Sequence, residues 1–223
     1  MRHPLFCLLA CAVATVVHVG AASAQEAKAT FARAVATYKS AETISARFEQ
    51  TLTNALTGTT NTARGELFRK RPDLFAIVFA KPLTDRIVDD GSAVWVYLPS
   101  SVPGQVIKTP VRKRGAGTPL DPLGEILDAS PDRYVVGDAG TAVIDGHATH
   151  VVSLVPQRDS SVFTKATVWV DDHDGVVRQL ETVEPSGVTR RVLMTKVVVN
   201  GSLPRGVFTF VAPSGVRVVE SGG

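Results

Sequence analysis

The sequence predicts an α+β protein made mainly of antiparallel β-sheet, and three observations favour this class. Apolar residues follow helical spacing only near the start, in residues 26–41, and again close to residue 123. Elsewhere short apolar segments with a period of two are separated by turn dipeptides such as Asp145-Gly146 and Asp174-Gly175. The spacing of those turns is typical of an antiparallel meander.

The first two dozen residues predict export. A basic start at Arg2, an apolar run over 5–19 and the small residues before Gln25 match the parts of a secretory signal peptide, cleaved after Ala24. The run is too short for a membrane span. The expected organisation is therefore residues 1–24 as a cleaved signal peptide and 25–223 as a single domain.

An alternative interpretation uses Cys11. Leu8-Leu9-Ala10-Cys11 resembles the lipobox at which bacterial lipoproteins are cleaved and acylated, and an acylated Cys11 would anchor the protein to a membrane. Few apolar residues precede this cysteine, however, whereas a signal peptide needs an apolar region of roughly 7–15 residues. Cleavage after Ala24 is the favoured interpretation.

Composition limits the classes of function. Both cysteines, Cys7 and Cys11, lie within the predicted signal peptide, so the exported chain would hold no disulfide and would depend on burial for stability. Removing residues 1–24 leaves 23 basic against 21 acidic side chains, a net charge near +2. Such a small charge gives no support for nucleic-acid binding.

The first predicted element is an amphipathic helix over residues 26–41. Phe31, Ala34, Val35, Tyr38 and Ala41 form its apolar stripe. The period then changes to two, because apolar residues from Ile44 to Leu52 alternate with polar ones, which predicts a strand with one exposed face.

The segment over residues 69–98 predicts consecutive strands that are apolar on both faces. Residues 74–79 and 93–98 do not alternate with polar residues as a half-exposed strand would. Pro72, Pro82 and Asp90-Gly91 mark the turns between these strands. Either both faces are covered, or one of them lines an apolar cavity.

The middle of the chain interrupts the sheet pattern. Residues 109–128 begin as a basic, glycine-rich loop and continue with apolar residues at helical spacing, behind the cap residue Asp121 and Pro122 at the first helical position. A short apolar helix between two flexible connections is typical of a lid.

An enzyme is not predicted. Asp171, Asp172 and Asp174 around His173, or His147 with His150, could suggest a metal site. The aspartates, however, sit at an Asp-Gly hairpin turn, where they are favoured for backbone reasons. Serine nucleophile and phosphate-loop motifs are missing from the sequence. We therefore expect neither catalysis nor a metal or other cofactor.

The chain carries an ordered set of motifs: ARFEQ around Phe48, GELFRKRPDLF over 65–75, Lys81-Pro82, DGSAVWVY over 90–97 and FTFVAPSGV over 208–216. This set resembles the LolA family of periplasmic outer-membrane lipoprotein carriers. The resemblance implies an unclosed half β-barrel covered by a lid of short helices, with an N-terminal helix. It also implies an apolar cavity that holds the acyl chains of a lipoprotein.

The resemblance further implies the site residues. Arg71, before the proline of R-P-x-x-F, would be the lid clamp; the alternative is a solvated basic turn, since Arg69, Lys70 and Arg71 are consecutive. Ile77 stands where the family often has an aromatic residue. The acyl-chain cavity would be lined by Phe48, Leu67, Phe75, Ile77, Phe79, Trp95 and Tyr97, and the lid would carry Leu120, Leu123, Ile126 and Leu127. An ordinary packed core is the alternative for these apolar residues.

The implied partners are acylated lipoproteins as cargo, an inner-membrane ABC transporter that supplies them and an outer-membrane receptor that accepts them. The expected state is a periplasmic monomer that binds no nucleic acid. Three alternatives remain open: a lipid or glycolipid shuttle, an envelope-stress sensor of lipoproteins, and a membrane-anchored receptor acylated at Cys11.

Overall fold

A computed structural model describes residues 19–110, 121–158 and 163–221. These residues form two α-helices, a 3-10 turn at Pro131–Arg133 and twelve strands. The helices are α1 (Val19–Ser40) and α2 (Pro122–Leu127), and the strands are β1 (Thr43–Asn54), β2 (Thr60–Lys70), β3 (Leu74–Phe79), β4 (Arg86–Asp89), β5 (Ala93–Tyr97), β6 (Gln105–Pro110), β7 (Tyr134–Ile144), β8 (His147–Pro156), β9 (Lys165–Asp171), β10 (Val177–Val183), β11 (Val188–Val199) and β12 (Arg217–Glu220).

The strands make one sheet in the order β12-β6-β5-β4-β3-β2-β1-β11-β10-β9-β8-β7. Neighbours are antiparallel, except that β12 pairs in parallel with β6. The two ends of the sheet, β12 and β7, do not pair with each other, so the barrel is unclosed. The predicted class, mainly antiparallel sheet with an N-terminal helix and a short middle helix, is confirmed.

Helix α1 packs on one face of the sheet. Ala27, Phe31 and Ala34 are buried on it at helical spacing, against β7, β8 and β9. The helix begins earlier than residue 26, where the spacing predicted its start, so the predicted cleavage point after Ala24 lies within it. That cleavage remains a prediction. Among the described helices, none has the length and hydropathy needed to cross a bilayer.

Strands β3 and β5 are apolar on both faces, and the structure covers both faces of this part of the sheet. On the inner face, which is turned toward α2, Phe48, Leu67, Phe75, Ile87 and Val94 form one cluster. The outer face carries a second cluster built on Phe68, Ala76 and Val88. The C-terminal segment, residues 201–216, covers that second cluster with Leu203, Val207, Phe208 and Phe210. Because each face of β3 and β5 packs against other apolar residues, neither strand alternates apolar with polar residues.

Candidate functional site

An apolar cavity of about 80 Å³ lies between the inner face of the sheet and the start of α2. Most of its wall comes from β1, β2, β3, β4, β10 and β11, and α2 closes it with Leu123. Phe48, Gln50, Leu67, Ile77, Phe79, Ile87, Asp121, Leu123, Leu180, Arg190, Val192 and Met194 line this cavity.

Four of the predicted wall residues line the cavity. Phe48, Leu67, Ile77 and Phe79 come together because they alternate along β1, β2 and β3 and so share the inner face. The rings of Phe48 and Phe79 meet edge to face, with centroids 5.6 Å apart. Phe75 belongs to the same cluster and lines the smaller space beside it, next to Leu123.

Trp95 and Tyr97 do not line the cavity, which corrects their predicted position. Both lie on the outer face, where the Trp95 ring stacks on Phe210 at 5.5 Å and the Tyr97 ring lies 5.7 Å from the same residue. Their neighbours Val94 and Val96 take the inner face of β5. Every residue of this strand is apolar. The sequence pattern therefore could not show whether Val94 and Val96 or Trp95 and Tyr97 face inward.

Gly65 on β2 makes room for the Phe48 ring. A Cβ at this position would lie 2.9 Å from two atoms of that ring and closer still to the backbone oxygen of Val78. Gly65 pairs with Phe48 on one side and with Phe79 on the other. The glycine therefore permits the aromatic pair in the cavity wall to approach the strand backbone.

Helix α2 has the cap that the sequence predicts. Asp121 is its N-cap and accepts a hydrogen bond of 2.9 Å from the backbone N–H of Gly124, and Pro122 follows at the first helical position. Leu123, Ile126 and Leu127 are buried, and their role as a lid remains a prediction. Leu120, the fourth predicted lid residue, lies outside the described residues.

Arg69, which was not among the predicted site residues, joins the sheet to both ends of α2. Its Nη2 atom donates to the two carboxylate oxygens of Asp128 at 3.1 and 3.0 Å, just past the helix end. The guanidinium lies 3.8 Å from the ring centroid of Tyr38 on α1. Near the other end of α2, Arg69 interacts electrostatically with Asp121. The sequence held one signal for this position that was not used: Arg69 lies two residues after Leu67, so a strand places both side chains on the same face.

Arg71, the predicted clamp, lies beyond the end of β2 with an exposed side chain. Its backbone N–H donates to the carbonyl of Glu42 at 3.0 Å. Within the described part of the chain, no hydrogen bond or ion pair joins its side chain to α2. In the described conformation Arg69 holds α2 against the sheet, and the clamp role of Arg71 remains a prediction.

Burial changes the ionisation of the acids around α2. It raises the pKa of Asp121 to about 6, although the N–H of Gly124 and the charge of Arg69 act in the opposite direction. Burial also raises the pKa of Glu125, which Arg133 partly offsets. Helix α2 therefore carries at its N-cap a carboxyl group whose pKa is about 6.

One end of the cavity is polar. Arg190 on β11 donates from Nη1 to the Gln50 side-chain oxygen at 2.9 Å and from Nη2 to Glu184 at 3.0 Å. Gln50 and Arg190 both line the cavity, whereas Glu184 lies behind Arg190 at the β10–β11 turn. A hydrogen-bonding group is thus present beside the apolar wall.

The residues that suggested a metal site have structural partners instead. Asp171 accepts from Arg178 Nε at 2.9 Å and lies 2.7 Å from His147 Nδ1. His150 pairs with Asp138 at 3.0 Å. In the described ranges no group of three or more acidic, histidine or cysteine side chains is arranged to hold a metal. The aspartate run forms the β9–β10 turn that the Asp-Gly dipeptide predicts.

Known proteins similar to this chain are described as carriers. The outer-membrane lipoprotein carrier protein of Chromobacterium violaceum is 27% identical over 220 residues, which cover 97% of this chain and 98% of that protein. The protein of the same description from Pseudomonas aeruginosa is 30% identical over 182 residues, 81% of this chain and 82% of the relative. Carriers are binding proteins rather than enzymes, so the prediction that the chain is not an enzyme is confirmed.

Solved structures agree on the fold. An uncharacterised conserved protein from Thermus thermophilus has a TM-score of 0.56 at 13% identity, covering 88% of this chain and 100% of that one. MucB also has a TM-score of 0.56, at 12% identity, with 87% of this chain and 66% of MucB covered. The profile of the family described as outer membrane lipoprotein carrier protein LolA matches residues 39–211, and the chain therefore belongs to the LolA family.

Proposed function

We propose that this protein is a periplasmic carrier that holds the acyl chains of lipoproteins in the cavity beneath α2. It receives them from an inner-membrane ABC transporter and delivers them to an outer-membrane receptor. The observation that carries the proposal is the apolar cavity between the inner sheet face and Leu123. The descriptions of the relatives as outer-membrane lipoprotein carriers support the choice of cargo.

The need for such a cavity follows from the hydrophobic effect. Each methylene group exposed to water costs about 0.8 kcal/mol, so an acylated lipoprotein cannot leave a bilayer without an apolar replacement. The wall formed by Phe48, Leu67, Ile77 and Phe79 supplies that replacement.

The structure fits the closed form of such a carrier. A dry cavity of about 150 Å³ accommodates a molecule of the size of benzene. The present cavity measures about 80 Å³, so it is too small for an acyl chain unless α2 moves away from the sheet. Loading must therefore break the contacts of Arg69 with Asp128 and withdraw Leu123.

Acyl binding is tested by placing a charge in the wall. Phe79→Glu brings a carboxylate into the cavity, and a carboxylate next to hydrocarbon is strongly disfavoured. Phe79 is only partly buried, so we expect the variant to fold. Wild-type protein should bind a triacylated cysteinyl peptide, detected by native mass spectrometry, and the variant should lose that binding.

Val143→Glu is the matched control, because Val143 is 72% exposed on β7 and lies away from the cavity. Circular dichroism should show both variants folded. Normal peptide binding by folded Phe79→Glu protein would contradict the acyl-binding site, and unfolding of that variant would show that Phe79 belongs to an ordinary core.

Export and anchoring are tested at the N-terminus. Mass spectrometry of the protein purified from the envelope should find a chain that starts at Gln25. A diacylglyceryl group on Cys11 would instead make the protein a membrane-anchored receptor, and it would overturn the proposed soluble carrier.

A further inference from the structure

The head site, which we define as Gln50, Glu184 and Arg190, lies at the polar end of the cavity. We propose that the head site binds uncharged carbonyl oxygens, the ester and amide oxygens at the head of an acylated lipoprotein, and disfavours the carboxylate of a free fatty acid. This inference rests on the proposed acyl-binding function and names the chemistry that the cavity selects.

The cavity has a buried end and an end near solvent. Met194, Val192 and Arg190 alternate along β11 and so face the cavity in a row. Met194 is only 4% exposed, whereas the Arg190 side chain is 32% exposed. An acyl chain that enters with its methyl end first would therefore leave its polar head beside Arg190.

Arg190 is held in place and still has donors to offer. Its bonds to Gln50 and Glu184 use two of the five N–H groups of a guanidinium. Both partners fix the plane of the guanidinium, so a carbonyl oxygen can bind there with little further ordering. The head site is thus arranged to donate hydrogen bonds at the mouth of a largely apolar cavity.

The local charges favour an uncharged ligand head. The carboxylate of Glu184 lies 3.0 Å from Arg190 and neutralises it, and the carboxyl group of Asp121 lines the same cavity. An anionic head would bind Arg190 only weakly, because Glu184 already neutralises part of its charge. The carboxylates of Glu184 and Asp121 would also repel it. An ester or amide carbonyl can accept from Arg190 without that repulsion.

The test compares three ligands with the same twelve-carbon chain: monolaurin with a neutral ester, laurate with a carboxylate, and dodecanol, which has neither. Each displaces a fluorescent acyl probe from the full-length mature protein. We expect wild-type protein to bind monolaurin at least about tenfold more tightly than laurate.

Two variants separate hydrogen bonding from charge. Arg190→Met should weaken monolaurin binding about five- to tenfold and leave dodecanol binding within about twofold, because only the ester uses the head site. Glu184→Gln keeps an acceptor for Arg190 and removes the negative charge. It should bring laurate to within about threefold of monolaurin without weakening monolaurin.

The outcomes distinguish the inference from the function on which it rests. If wild-type protein binds none of the three ligands, the acyl-binding function fails, and the inference fails with it. If wild-type protein binds laurate as tightly as monolaurin, or if Glu184→Gln leaves their ratio unchanged, the cavity binds acyl chains and the inference alone is overturned.

Discussion

Arg69 and Asp128 form a paired hydrogen bond between the sheet and the end of the lid helix. The bonds, of 3.1 and 3.0 Å, join an arginine with a 14% exposed side chain to an aspartate that is 39% exposed. Charge-assisted bonds of this kind are stronger than neutral ones, although partial exposure of Asp128 weakens them. This pair therefore contributes to the free energy needed to open α2, together with the burial of Leu123, Ile126 and Leu127.

Replacing Arg69 should open the lid. Arg69→Leu removes both bonds to Asp128 and the contact with the Tyr38 ring, which together stabilise the closed position by about 1–2 kcal/mol. We expect the backbone amides of Gly124 and Asp128, which bond within the α2 turn, to exchange hydrogen about 5- to 30-fold faster. Hydrogen–deuterium exchange of residues 121–128 measures this change.

Arg71→Leu is the matched control. It makes the same substitution two residues further along the chain, at an arginine whose side chain is exposed. Its exchange rates over 121–128 should stay close to those of wild-type protein. Faster exchange in Arg71→Leu, with normal rates in Arg69→Leu, would show that Arg71 holds α2 in place. It would contradict our conclusion that Arg69 does so.

Lid stability should decrease as the pH rises. The pKa of Asp121 is about 6 in the folded protein against an ordinary value of 3.8, so the protonated form is favoured when α2 is closed. The sign is opposite to that of a salt-bridged aspartate. The stabilisation is complete below about pH 4 and is lost between about pH 4 and 6, by roughly 1–3 kcal/mol.

Asp121→Asn isolates this contribution, because asparagine also caps a helix and carries no charge. The difference in unfolding free energy between Asp121→Asn and wild-type protein, from urea titrations at several pH values, should shift in favour of the variant as the pH rises from about 4 to about 7. A constant difference across that range would show that Asp121 does not titrate as proposed.

Gly65 should tolerate no side chain. Gly65→Ala sets a methyl group against the Phe48 ring and the Val78 carbonyl, and overpacking of this kind costs about 1–3 kcal/mol. We expect a lower free energy of unfolding in urea and weaker binding of acyl ligands, since the Phe48 ring must move.

Gly137→Ala provides the comparison for Gly65→Ala. Its added methyl group meets the Ser153 hydroxyl at 2.7 Å, an atom at the end of a side chain that can rotate away. Gly137→Ala should therefore lose less stability and retain acyl binding. Equal losses of unfolding free energy in the two variants would mean that replacing any strand glycine is destabilising, and that the contact with Phe48 is not the cause.

The sequence predicted features that depend on local chemistry. The Asp121 cap, Pro122 and the short apolar helix that carries Leu123, Ile126 and Leu127 were predicted from residue type and helical spacing, because a cap and an apolar stripe are properties of adjacent residues. The assignment of these leucines and Ile126 to a lid came from the family resemblance. The alternation that places Phe48 and Leu67 on the inner face is equally local.

Features that depend on distant parts of the chain were not predictable in the same way. The outward position of Trp95 follows from the C-terminal segment that covers it, more than a hundred residues later. The role of Arg69 follows from Asp128, 59 residues away. The short strand β12 depends on its parallel pairing with β6. Pattern within one strand cannot reveal which partner covers which face.

Trp95 should stabilise the C-terminal segment and not the ligand. Its ring stacks on Phe210, and its Nε1 atom donates to Asp90 at 2.7 Å. Trp95→Ala removes both contacts, and for a partly exposed tryptophan we expect a loss of about 2–4 kcal/mol of unfolding free energy. Amides in the covering segment, such as Thr209 with its bond to the Gly206 carbonyl, should exchange faster.

Acyl binding by Trp95→Ala should remain within about twofold of wild-type protein, because the inner wall of Phe48, Ile77 and Phe79 is unchanged. Phe210→Ala should reproduce the faster exchange of the covering segment, since Phe210 is the residue on which Trp95 stacks. A loss of acyl binding in Trp95→Ala with normal exchange over residues 201–216 would place Trp95 in the cavity wall after all. Faster exchange with retained binding is the result that separates a residue of the outer face from one that holds the ligand.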